Sequence, residues 1–153
     1  MLCEKCGINQ DDSEYDIEID ECPKCGSFLC DDCAGWTVVL DESICEECAS
    51  NYIPAIDGFA DDIICSRGSS GIQTNVPRRI VLHSPTGWEW GYGGSGPADF
   101  ALNILSIFIG QAEAEIYYQD FKFEVVAKIP HEGGTIKRED ILKWIEDKRK
   151  EKL

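Results

Sequence analysis

Eight of the nine cysteines in this chain fall in four Cys-x2-Cys pairs inside its first third, and no other feature limits the fold so tightly. The pairs are Cys3/Cys6, Cys22/Cys25, Cys30/Cys33 and Cys45/Cys48, separated by gaps of 15, 4 and 11 residues. A two-residue spacer bends the backbone into a knuckle that aims both sulfurs at one point, and two knuckles supply the tetrahedral S4 shell that Zn²⁺ accepts. Gly7 and Gly26 follow Cys6 and Cys25, where a knuckle favours a left-handed residue, and Pro23 pre-sets the turn of the second pair. Redox Cys-x-x-Cys motifs come singly beside a βαβ pattern, which is absent here.

All eight cysteines, Cys3, Cys6, Cys22, Cys25, Cys30, Cys33, Cys45 and Cys48, are therefore expected to bind two zinc ions. No histidine lies in residues 1–60. Each shell is then closed by thiolates, which points to a structural rather than a hydrolytic metal. A disulfide scaffold is the competing reading, and it needs an oxidising compartment. Two pairings are open. Sequential pairing puts Cys3, Cys6, Cys22 and Cys25 on one ion, and its 15-residue gap suits a zinc ribbon. Interleaving joins Cys3, Cys6, Cys30 and Cys33 on one ion and Cys22, Cys25, Cys45 and Cys48 on the other, and the short Gly26–Leu29 link favours this crossing.

Charge divides the chain at nearly the same place. Residues 1–60 hold 15 Asp/Glu against 2 Lys/Arg, whereas residues 61–153 hold 14 against 12. Two compositions predict two modules. Such acidity repels phosphate backbones and argues against nucleic-acid binding; it suits a basic protein partner, or simply solubility. No stretch of about 18 apolar residues exists, so no membrane span is expected. The N-terminus lacks the apolar core of a secretory signal, which predicts a cytoplasmic protein with reduced thiols.

The run from Cys22 to Cys33, Cys-Pro-Lys-Cys-Gly-Ser-Phe-Leu-Cys-Asp-Asp-Cys, followed by Cys45-Glu46-Glu47-Cys48, resembles the cross-braced FYVE, RING and PHD zinc fingers, with FYVE spacing the nearest. FYVE domains hold phosphoinositides on a basic run around their third and fourth cysteines. Here that stretch is Asp16-Ile17-Glu18-Ile19-Asp20-Glu21, so lipid binding does not carry over, and only the scaffold of the RING ligases matches.

Residues 56–75, rich in Gly, Ser and Asp, read as a linker between a two-zinc module over 1–55 and an α+β domain over 76–153. Cys65 reads as a small buried hydrophobe, with a reactive thiol as the alternative. Arg79–His83 and Trp88–Tyr92 suggest a hairpin around Ser84–Gly87. A buried helix is expected from about Pro97 to Ile109, ended by Gly110. Residues 112–129 fit a helix to about Gln119 and then either more helix or a strand. A last helix is expected over Thr135–Lys152, with Glu139 and Asp140 near its start, Ile141, Trp144 and Ile145 as its core stripe, and Lys148, Arg149, Lys150 and Lys152 at its end.

The run His83-Ser-Pro-Thr-Gly-Trp-Glu-Trp-Gly-Tyr-Gly-Gly-Ser-Gly-Pro-Ala-Asp99, with Tyr118-Gln119-Asp120-Phe121-Lys122, resembles an uncharacterised domain family of bacteria and their phages. The resemblance implies a prokaryotic or virus-infected host setting and no particular activity. The leading functional reading is a non-enzymatic, zinc-binding interaction protein, a candidate phage or mobile-element inhibitor that covers a basic host protein. The alternative is a small ligand-binding or enzymatic domain centred on Gly93–Pro97 with His83 and Glu89, joined by Asp99 and Asp120. Gly91, Gly93 and Gly96 match Gly-x-Gly-x-x-Gly without a parallel βαβ unit, a weak signal. His131 carries no assigned role. A third reading is a nucleic-acid-bound regulator using the zinc module, which the acidity opposes unless Lys137, Arg138 and the Lys148–Lys152 cluster form a separate patch.

Overall fold

The computed structural model describes residues 1–12, 16–39 and 42–152. They form an α+β protein of two units, Met1–Tyr52 and Ile53–Leu153.

The first unit repeats one device. Strands β1 (Ile19–Glu21) and β2 (Phe28–Cys30) pair antiparallel, Ile19 opposite Cys30, and their turn is the Cys22–Cys25 knuckle. Cys22 N–H donates to Ser27 O at 2.9 Å, and Gly26 N–H returns to Cys22 O at 2.8 Å. The first knuckle copies this register: Cys3 N–H donates to Ile8 O and Gly7 N–H to Cys3 O, both at 2.9 Å. Gly7 and Gly26 both sit at φ 75°, as the sequence leads one to expect. The short helix α1 (Asp31–Ala34) follows β2 directly. A second hairpin, β3 (Thr37–Val39) with β4 (Glu42–Ile44), leads into α2 (Glu46–Ser50) in the same way. Among the described residues, the buried apolar side chains of this unit apart from four cysteines are Ile19, Leu29, Ala34 and Ile44. Four aliphatic side chains bury too little surface to hold some fifty residues together.

The second unit is built around α3 (Ser95–Glu124), whose residues 96–107 are all buried. Gly110 interrupts it at φ 75°, ψ 165°, dividing the helix into residues 95–109 and 111–124. The segment at 53–56 clamps the break: Gln111 N–H donates to Ile53 O at 2.7 Å, and Ile56 N–H to Ile107 O at 2.9 Å. Only glycine adopts that backbone region without strain, and a Cβ there would stand 3.3 Å from Ala55 N. Gly110→Ala is expected to cost about 1–3 kcal/mol, read as a lower midpoint in denaturant for this unit.

A three-stranded antiparallel sheet packs in the same unit, in the order β6 (Gly71–Thr74), β5 (Ile63–Gly68), β7 (Gly133–Ile136). The stretch over 56–75, expected as a linker, therefore carries two strands. Its Ile63 and Cys65 are buried, and β5 is the central strand. Strand alternation over Ile63–Arg67 was the legible sign, masked by the surrounding Gly, Ser and Asp. Cys65 lies 2 % exposed in the core, in keeping with its reading as a small hydrophobe.

Three further expectations change. Residues 79–83 and 88–92 form no hairpin. Both run outside regular strands: buried side chains of α3, instead of a partner strand, take the backbone hydrogen bonds of 79–83, and Gly91 N–H goes to Val126 O at 3.0 Å. Asn103 Oδ1 accepts from Arg79 N–H at 2.9 Å and Ile80 N–H at 3.0 Å, and its amide donates to Ile80 O at 2.8 Å. Past Gln119 the helix continues to Glu124 and then tightens into a 3-10 turn at Val126–Lys128, so the strand alternative is not taken. The final helix α4 spans Arg138–Glu151, and Thr135 belongs to β7. Asp62 sets that start from a distance: its Oδ1 accepts from Arg138 N–H at 2.8 Å, which holds the carboxyl below its usual range. Ile141 and Ile145 bury the expected stripe, with Trp144 against Phe121. Among the described residues, no helix is long and apolar enough to cross a membrane.

Candidate metal centres

Each knuckle meets a cysteine pair that opens a short helix. Cys30 and Cys45 hold extended backbone just before α1 and α2, at φ/ψ −76°/161° and −67°/154°. Cys33 and Cys48 sit three residues on, and a helical turn brings residues three apart to one face. The pairs interleave. The sulfurs of Cys3, Cys6, Cys30 and Cys33 all lie within 4.8 Å of one another, and so do those of Cys22, Cys25, Cys45 and Cys48. Sequential pairing does not occur, because the β1–β2 hairpin places its knuckle and Cys30 at opposite ends.

The spacing identifies the bond type. Cys6 and Cys30 sulfurs stand 3.8 Å apart, and those of Cys25 and Cys45 3.9 Å. A disulfide needs about 2.05 Å. A tetrahedron with Zn–S bonds of 2.3 Å has edges of about 3.8 Å. The quartets thus match zinc-type S4 sites in donor set and in size.

Their protonation fits a cation as well. Backbone N–H groups, that of Cys30 foremost, lower the Cys3 thiol to about 6. Burial opposes charge on Cys22, yet the N–H groups of Cys45, Cys25 and Lys24 bring it down to about 6. The last cysteine of each quartet behaves oppositely. Hydrogen bonds that its thiol donates to Cys6 and Cys30, and then burial, push Cys33 up to about 12. Burial, with hydrogen bonds that its thiol donates toward Cys45, Cys25 and Cys22, pushes Cys48 up to about 12. Four crowded sulfurs without a cation cannot all carry charge; a divalent ion reverses this by displacing the protons. Zinc added to the reduced, metal-free chain at pH 7 is expected to release protons from both quartets. Its affinity should fall as pH falls, because ligation requires thiolates. A zinc titration in weak buffer with a pH indicator reads the release; no change in pH would contradict it.

The second unit does not gather His83, Glu89, Asp99 and Asp120 into one site. Asp99 is fully buried and accepts from the backbone N–H groups of Leu82, His83 and Ser84 at 3.2, 2.9 and 2.8 Å. His83 Nε2 lies 2.7 Å from Tyr118 Oη. Asp120 faces Lys148 at 3.6 Å. Glu89 forms a two-point ion pair with Arg67, at 2.5 and 3.3 Å, which holds its carboxyl below the usual range. Arg67 also stacks 4.5 Å above Trp90 and donates to His131 O at 2.6 Å. Its position in the supposed linker hid this role. Trp90 N–H reaches Pro130 O at 2.9 Å, so the Trp-Glu-Trp run anchors the fold. The glycines that match Gly-x-Gly-x-x-Gly serve close approach: a Cβ on Gly96 would meet Glu89 at 3.0 Å, and one on Gly93 would meet Phe123 at 2.7 Å. The basic end of α4 is internally paired, Lys148 with Glu124 at 3.1 Å, Arg149 with Glu113 at 2.5 Å and Lys150 with Glu146 at 3.0 Å.

Comparison with known proteins places a family model described as "Family of unknown function (DUF6166)" on residues 60–147. That span contains the expected uncharacterised-family run and begins before β5, while the eight paired cysteines precede it. No curated protein and no solved structure matches the chain.

Proposed function

The chain belongs to the DUF6166 family, and from that premise we propose that it is a zinc-stabilised protein-interaction protein, in which a two-zinc, cross-braced module is joined to the family domain. One observation carries the reading: two interleaved cysteine quartets, each with its four sulfurs within 4.8 Å. Closed S4 shells leave no position for a substrate, so the metals hold shape and do no chemistry. Cross-bracing, with two sites sharing one small core, is the property held in common with FYVE-type fingers.

The surface that the metals hold rigid is acidic. Glu4, Glu46 and Glu47 are exposed and, with Lys5, Leu29 and Ala34, line a groove of about 510 Å³. Both lysines of the unit are already engaged, Lys5 with Cys33 O at 3.2 Å and Lys24 with Glu42 at 3.5 Å. Eight thiolates and two divalent cations would add a net charge of about −4 to the formal −15. Such a surface favours a basic protein partner, and its steering weakens with salt. In an infected bacterial cell, covering the basic groove of a nucleic-acid-binding enzyme is the inhibitory role that this chemistry supports.

Native mass spectrometry of reduced protein is expected to find two zinc ions per chain; a folded metal-free species would overturn the reading. Capture of basic proteins from bacterial lysate should weaken as salt rises. It should also be lost in Glu4→Lys, Glu46→Lys, Glu47→Lys combined, with little change for Asp11→Lys, Asp16→Lys, Glu18→Lys.

A further inference from the structure

Strand β7 is paired on one side only. It joins β5, the central strand, with Ile63 opposite Ile136, Ile64 opposite Thr135 and Cys65 opposite Gly134. Backbone groups along an antiparallel strand face its two neighbours by turns. Arg67 N–H donates to Glu132 O at 3.1 Å, so Gly134 and Ile136, in phase with Glu132, turn their N–H and C=O to β5. Thr135 N–H and C=O therefore face away from the sheet. Lys137, still extended at φ −64°, ψ 133°, turns its N–H the same way. Gly133 N–H, another outward donor, is taken by Pro130 O at 2.9 Å, but among the described residues nothing bonds the outward groups of Thr135 and Lys137. Unpaired edge groups of this kind are a template for a further strand.

The open edge borders an apolar groove. A cavity of about 440 Å³ is lined by residues 134–137 together with Phe121, Val125, Ile129, Ile141 and Trp144. Among the described residues none from β5 or β6 lines it, which puts the groove on the unpaired side of β7. Its charges do not balance. Glu124 is held by Trp144 Nε1 at 3.0 Å and Lys148 at 3.1 Å, and Asp140 lies in the first turn of α4, where the helix dipole favours a carboxylate. Lys137 shares Asp62 with the Arg138 N–H and is 67 % exposed. Lys128, on the rim and exposed, forms no ion pair among the described residues.

We propose that β7 and its groove bind an extended acidic peptide, which adds a fourth strand to the sheet. Thr135 and Lys137 supply backbone hydrogen bonds, and the groove takes the apolar side chains that alternate along one face of the peptide. Lys128 and Lys137 draw its carboxylates. A second copy of the chain would leave the groove empty. Its β7 carries Gly133, Gly134 and Thr135, and its only large apolar residue, Ile136, stands opposite Ile63 in its own sheet. The site is independent of the zinc module, since every residue in it belongs to the Ile53–Leu153 unit.

The probe is a peptide of about eight residues, blocked at both ends, alternating Leu with Thr and carrying Glu near each end. Titrated into ¹⁵N-labelled, zinc-loaded full-length protein, it should give saturable shifts of the Thr135 and Lys137 amides and of the Trp144 indole, and slow hydrogen exchange at both amides. Methylating alternate peptide nitrogens separates strand addition from apolar contact. One of the two alternating patterns should weaken binding at least about tenfold, and the other should leave it within about threefold. Thr135→Pro removes an N–H that β5 does not use, so it should weaken binding at least about fivefold with little change in melting temperature. Should the proline variant fail to fold, Lys128→Glu tests the same site from its surface: it should weaken this peptide about threefold and favour one with Lys in place of Glu. Absent shifts, equal effects of the two methylation patterns, or binding that survives both variants would overturn the proposal. So would sedimentation as a dimer with the Thr135 amide already protected, which would assign the edge to a second copy.

Discussion

Excess strong chelator, under reducing conditions, is expected to unfold the Met1–Tyr52 unit and leave the Ile53–Leu153 unit folded. Among its described residues the first unit buries four aliphatic side chains besides its cysteines, and both hairpins run into cysteine pairs. Removing the ions removes roughly 10–16 kcal/mol of apparent binding energy per structural site, more than so small a core can replace. The second unit has its own core of Phe100, Leu102, Ile104, Leu105, Phe121 and their neighbours, with none of the paired cysteines in it. The four tryptophans separate the two outcomes. Trp36, whose indole N–H donates to Asp31 Oδ1 at 3.0 Å, reports on the first unit; Trp88, Trp90 and Trp144 report on the second. In a ¹⁵N spectrum the Trp36 indole signal should move to its unfolded position while the other three stay. Should all four stay after metal analysis has verified zinc loss, the metals do not hold the module together.

Asp99→Ala is expected to be the most damaging single substitution in the second unit, costing about 3–5 kcal/mol. The carboxylate is wholly buried and satisfies three consecutive backbone N–H groups, from Leu82 to Ser84. Hydrogen bonds to a charged group are worth about 1.5–3 kcal/mol each, and truncation leaves their buried partners without an acceptor. Leu82 and His83 are themselves exposed, so water recovers part of the loss. With about 4–8 °C per kcal/mol in a domain of this size, the melting temperature should fall by more than about 12 °C. Asp99→Asn keeps one acceptor oxygen and should cost about 1–2 kcal/mol. Thermal unfolding of the zinc-loaded chain, followed by the fluorescence of buried Trp90, measures both. A loss below about 1 kcal/mol for the alanine variant would mean that packing alone holds the 79–84 segment.

The two predictions mark different kinds of legibility. The metal centres could be read from the chain because their ligands are set by local rules. An x2 spacer, a following glycine and a four-residue link between the middle pairs each restrict geometry over a few residues. The 79–92 segment misled for the opposite reason. Its alternating aromatics look like a strand, but strand formation requires a partner for every backbone group. Here the 79–84 stretch that would have been that partner gives its N–H groups to Asp99 and Asn103, polar residues of a helix whose burial nothing nearby announces, and Gly91 N–H goes to Val126 O. Arg67 was hidden in the same way, since its partners, Glu89, Trp90 and His131, come from distant parts of the chain.

From its own residues the chain determined that eight thiols are arranged as metal could hold them, that two compositions mean two modules, and that Gly110 breaks a buried helix, because spacing, charge and backbone freedom are properties of neighbours. Tertiary structure alone decided that β5 lies mid-sheet and not in a linker, and that Asp99 and Asn103 take the backbone N–H groups of the 79–84 stretch. Those outcomes depend on which surfaces meet when distant segments pack, and burial, unlike sequence spacing, exists only once they have met.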